Sequence, residues 1–128
     1  MKKLFTPLVI LAAFILSSAT CHKKTTDTCF KGRLEIKGLC MNYVIKVIEG
    51  KNPALEVEKS WKDDASGKTY ENVFALASKC NFPDLKEGEE FYFTLTGTDV
   101  QNCAVCQAFR PVPTAKNAIK VITEPCRK

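Results

Sequence analysis

Cys103-Ala104-Val105-Cys106 sets two thiols at the C-x-x-C spacing. Such a pair can cycle between dithiol and disulfide, or supply half of a zinc site. Redox use calls for the first cysteine at a helix N-terminus, in a strand-then-helix unit that stabilises the thiolate. Here a Gly-Thr-Asp loop precedes Cys103 and Pro111 and Pro113 follow, with no helical period between them. Zinc would need a second ligand pair at matching spacing, and neither Cys29 with Cys40 nor Cys80 with Cys126 forms one. Two readings stay open for the motif: structural half-cystines, bonded to other strands or to each other, and a thiol-redox pair.

The other reactive residue types are sparse. The chain has one histidine, His22, so neither a Ser-His-Asp nor a Cys-His arrangement has a base within the folded part. A His-rich zinc site is excluded for the same reason. Asp63, Asp64 and Glu71 lack the alternating oxygen spacing of a calcium loop, and neighbouring residues of an extended chain point opposite ways. They read as a solvated hairpin loop. No catalytic residue, metal ligand set or cofactor is assigned. Trp61, Tyr70 and Tyr92 are the one binding hint, a possible aromatic face for a sugar or peptide. The competing reading places Trp61 in the core as a cap. Arg110 to Pro113 would be the inhibitory loop if the chain were a secreted protease-inhibitor-like module.

These residues must be positioned by strands. Phe30, Gly32, Leu34 and Ile36 alternate with Lys31, Arg33, Glu35 and Lys37, the period of a half-buried strand. Gly38 interrupts the run, and Leu39 to Glu49 is again strand-like before the Gly50-Lys51-Asn52-Pro53 turn. Leu55 and Val57 begin a third strand that ends near Trp61, and Lys62 to Lys68 is a polar loop. Val73 to Ser78 is a short apolar strand. Phe91, Phe93 and Leu95 mark the next, Gly97 to Asn102 a loop, Cys103 to Phe109 an extended stretch, and Ala118 to Ile122 the last strand. No helix is expected beyond one turn within Asn81 to Glu89. Five to seven short strands separated by turns predict an all-β barrel or a sandwich.

The N-terminus sets the compartment. Lys2 and Lys3 precede an apolar run, Leu4 to Leu16, shorter than the roughly 20 residues needed to span a bilayer. Ser17-Ser18-Ala19-Thr20 then supplies small residues for processing. Cleavage after Ala19 would give an ordinary secreted protein. The stretch before Cys21 also resembles the lipobox of bacterial lipoproteins, in which the chain is cut before the cysteine and that cysteine is acylated. The lipobox has Leu three residues before the cysteine and Gly, Ala or Ser just before it, whereas Ser18 and Thr20 stand there.

Cysteine number agrees with acylation. Of seven cysteines, setting Cys21 aside leaves Cys29, Cys40, Cys80, Cys103, Cys106 and Cys126, enough for three disulfides with 15 possible pairings. Residues 1–20 are thus read as a signal peptide, 21–28 as a lipid-anchored tether and 29–128 as a single domain. Two of the 19 basic residues leave with the signal peptide, so the mature chain has 17 against 14 acidic residues, scattered among one another. No basic stripe for nucleic acid is present.

A Gly-interrupted first hairpin, the strand entry Leu85, Gly88, Phe91, Phe93 and a Pro-preceded final strand together resemble small bacterial OB-fold-like lipoproteins, over Cys29 to Ile122. The resemblance implies a disulfide-reinforced OB-fold-like β-barrel held at the cell envelope, not a particular activity. The expected partners are the membrane, through the lipid anchor, and a protein, peptide or glycan ligand. By the sorting pattern of such lipoproteins, His22 rather than Asp after the cysteine implies the outer membrane. The alternative location is secreted or periplasmic.

Overall fold

The computed structural model describes residues 27–97 and 103–127. The expected signal peptide, Cys21, His22 and most of the tether lie outside the described residues. The protein is all-β, in one sheet of seven strands. These are β1 (Cys29–Lys37), β2 (Tyr43–Glu49), β3 (Glu58–Lys62), β4 (Thr69–Leu76), β5 (Glu90–Leu95), β6 (Lys116–Asn117) and β7 (Ile119–Ile122).

The strands pair in the order β3-β4-β2-β1-β5-β7, and β6 pairs with β4 in parallel. β4 shares one edge between two partners: β3 along Thr69 to Val73 and β6 along Ala75 and Leu76. One terminal stretch, Lys116 to Ile122, therefore reaches β4 with its first residues and β5 with its last. This connectivity matches a partly open five-stranded Greek-key barrel with an added hairpin strand, the OB-like architecture. The sheet does not close as a continuous ladder. β6 and β7 are separated at Ala118, whose carbonyl accepts the Thr96 N–H at 3.0 Å.

The core follows from alternation. Phe30, Leu34, Ile45, Phe74 and Phe93 are fully buried on the concave face. Phe30 and Phe93 stack with centroids 5.2 Å apart, and Phe91, Phe82 and Tyr43 extend the aromatic contacts. Gly32 is needed beside them. A Cβ there would stand 3.0 Å from the Phe93 ring and 3.2 Å from the Lys46 carbonyl. Leu55 does not begin a strand as expected. It is buried from a turn and plugs the core, while β3 starts only at Glu58.

Two backbone irregularities create a second cluster on the opposite face. The β1–β2 register shifts between Leu34 and Ile36, with Glu35 as the extra residue, so Ile36 pairs with Val44 and leaves the main core. Asn72 has φ 54°, which breaks the alternation of β4, and Tyr70 and Val73 come to share a cluster. Ile36, Val44 and Val73 are buried there, with Trp61, Tyr70 and Val112 packed against them.

Leu39 to Met41 departs from the expected strand. It is a 3-10 turn in which Cys40 and Met41 have φ 57° and 56°. β4 also starts earlier than expected, at Thr69.

Candidate interaction site: a disulfide-pinned strap and its exposed tip

The disulfides join Cys29 to Cys126, Cys40 to Cys106 and Cys80 to Cys103. All six expected half-cystines are used. The C-x-x-C cysteines bond to two different partners rather than to each other, which is the structural arrangement and not that of a dithiol switch. Cys29–Cys126 ties the start of β1 to the end of the domain. The other two bridges pin the beginning of a segment, residues 103–115, that has no regular strand and crosses the outer face of the sheet.

This strap is fastened along its length. Asn42 Nδ2 donates to the Leu39 carbonyl at 2.8 Å and to the Ala108 carbonyl at 3.0 Å. Gly38 allows the close approach: a Cβ there would lie 2.3 Å from the Asn42 carbonyl and 2.8 Å from Arg110 Cδ. Val112 covers the second cluster, and Pro113 is fully buried. At the far end Glu58 accepts from the Thr114 N–H at 3.2 Å and from its hydroxyl at 3.1 Å.

Arg110 links the strap to the β3–β4 turn through Asp63. Its Nη2 lies 3.3 Å from Asp63 Oδ2, and the Asp63 side chain is 1% exposed. The expectation of a solvated loop is therefore corrected at this residue. Asp63 builds the turn: its carboxylate accepts from the Ser66 hydroxyl at 2.7 Å and the Ala65 N–H at 3.2 Å. The spacing Asp63-x-x-Ser66-Gly67 is a side-chain-bonded turn pattern and was the signal in the sequence. Burial pushes the Asp63 carboxyl upward, but the bonds from Ser66 and Ala65 and the Arg110 charge together hold it below its ordinary value.

The expected aromatic face is divided. Trp61 and Tyr70 are cross-strand neighbours with ring centroids 5.9 Å apart, and both are half-buried on the second cluster. Tyr92 stands apart on β5, with β2 and β1 between it and β4. The Lys31 ammonium lies over the Tyr92 ring, 5.9 Å from its centroid, and pairs with Glu90 at 2.9 Å. The three rings therefore do not form one platform. Arg110 to Pro113 is folded against the sheet through Arg110, Val112 and Pro113, not presented as a projecting inhibitory loop.

What projects instead is a tip that no sequence pattern marks. Phe109 is 91% exposed and Leu39 70%. The Asn42 side chain bridges their neighbourhoods, and Cys40–Cys106 staples the two segments. The tip follows the C-terminal end of β1, about 30 Å along the strand from Cys29. Among the described residues no group of three His, Cys, Asp or Glu could hold a metal ion, and no helix is long and apolar enough to cross a membrane. Comparison with protein-family models, curated proteins and solved structures finds no match to this chain.

Proposed function

We propose that the protein is a lipid-anchored β-domain of the bacterial cell envelope, a non-enzymatic binding or structural accessory held through Cys21. The observation that carries this reading is the complete pairing of the other six cysteines. Three disulfides fit an oxidising, extracytoplasmic compartment. Cys21 is left as the odd cysteine, directly after a segment read as an export signal.

The geometry supports anchoring at one pole. Asp27, in the tether two residues before the domain, is fixed: its N–H donates to the Lys51 carbonyl at 3.0 Å, and its carboxylate accepts from the Lys51 N–H at 2.8 Å. A tether leaving from Asp27 emerges beside Cys29–Cys126. The Leu39–Phe109 tip lies at the other end of β1, so an anchored domain would hold its exposed apolar tip away from the bilayer. Outer-membrane placement is part of the proposal and rests on His22.

The test is a Cys21→Ser variant followed by membrane fractionation. Loss of membrane association is the expected result. Undiminished membrane association would refute the anchor.

A further inference from the structure

We propose that the groove between β2, the end of β4 and the strap binds a small organic carboxylate with an apolar body. The groove has a volume of about 250 Å³. Tyr43, Leu76 and Val112 give it apolar walls, and Lys79 and Lys116 bring two cationic side chains to it. Among the described residues no acidic side chain lines it, and neither lysine forms an ion pair. Lys31, Arg33, Lys37 and Arg110, by contrast, are each paired with a carboxylate.

Two uncompensated ammonium groups beside a low-dielectric wall focus a positive potential into the groove. An anion relieves it. The apolar walls favour an anion that carries hydrocarbon over a bare inorganic one. The volume is below the usual range for drug-sized ligands, which limits the ligand to a small acid or the end of a chain. The groove is also prearranged. Asn42 fixes one wall by holding the strap at Ala108, and the Ala77 N–H donates to the Asn117 carbonyl at 3.0 Å on the other side. The backbone around the groove therefore needs little ordering on binding. This site does not depend on how the chain is anchored.

Two sources offer the same chemistry, a free aryl acid and the C-terminal carboxylate of a peptide. The experiment titrates the oxidised full-length protein with benzoate and with N-acetylphenylalanine. Benzyl alcohol and N-acetylphenylalanine amide serve as uncharged controls, and amide shifts are mapped by NMR. At least one acid is expected to saturate, with shifts at Asn42 and Ala75 to Ala77 and none from the controls. Preference for benzoate assigns a free acid, and preference for N-acetylphenylalanine assigns a peptide terminus. Lys79→Ala and Lys116→Ala should each weaken binding by about tenfold, the worth of one charged hydrogen bond. Lys79→Arg should retain it. The proposal is overturned if neither acid saturates, if the uncharged controls bind equally, or if the double alanine variant, with its spectrum otherwise unchanged, binds as well as the parent.

Discussion

The Ser78 hydroxyl donates to the carbonyl of Ile119 and accepts the N–H of the same residue, each at 2.8 Å. One side chain thus makes both bonds that a strand neighbour would make, just past the end of β4. Asn117 repeats the device two residues earlier in the terminal stretch. Its Oδ1 accepts the Glu56 N–H at 2.9 Å, and its Nδ2 donates to the Glu56 carbonyl at 2.7 Å. The seam of the partly open sheet is therefore sealed by side chains where the backbone ladder stops.

Ser78→Ala should cost about 1–3 kcal/mol, because it leaves the Ile119 backbone groups without partners in a half-buried seam. Asn117→Ala, at a buried position, should cost at least as much and free the turn carrying Leu55. Urea unfolding monitored by Trp61 fluorescence measures both. Hydrogen exchange should show faster opening at Ile119 and Glu56 respectively.

The disulfides enclose sequence separations of 97, 66 and 23 residues. By loop-closure entropy their removal should cost from about 3 kcal/mol for Cys80–Cys103 to nearly 5 kcal/mol for Cys29–Cys126. Paired Cys→Ala variants, compared by thermal unfolding, should follow that order.

Asp63 makes the domain acid-sensitive. Its folded-state pKa lies below its ordinary 3.8, so the stability it contributes is present above that value and is lost as the pH falls through the folded pKa. Arg110→Ala removes one of the groups that hold the carboxylate ionised. Acid unfolding should then begin at higher pH, with a loss at neutral pH of about 2–4 kcal/mol. Asp63→Asn should flatten the acid limb of the stability profile. Both follow from denaturant titrations repeated across pH.

Phe109 and Phe30 should behave oppositely. Phe30→Ala empties a fully buried site and should cost about 3–5 kcal/mol. Phe109→Ser, at a 91% exposed position, should change stability by no more than about 0.5 kcal/mol and reduce self-association at high concentration. Thermal melts and light scattering check the pair.

Much of the architecture was legible because alternation has a strict period. Phe30 to Leu34 and Phe91 to Leu95 read directly as strands with their buried faces assigned. The irregular positions were not legible. Glu35 is an ordinary alternating residue until the register with β2 makes it the extra one, and that shift moves Ile36 to the other face. Cys40 and Met41 carry no local sign that their backbone is left-handed. Asn117 is indistinguishable in sequence from an exposed asparagine, since its partner at Glu56 is 61 residues away. For the same reason the cysteine pairings and the exposed tip could not be read. Both depend on long-range contacts, such as those that bring Cys106 and, through Ala108, Phe109 to the turn after β1.

Cys21 is proposed as the acylated N-terminus of a domain whose other six cysteines are all bonded. Mass spectrometry of the N-terminal peptide, from protein purified out of its native envelope, tests it most directly. The expected chain begins at Cys21 and carries acyl groups, with Cys29–Cys126, Cys40–Cys106 and Cys80–Cys103 intact. A chain that begins at Thr20 with an unmodified Cys21 would contradict it.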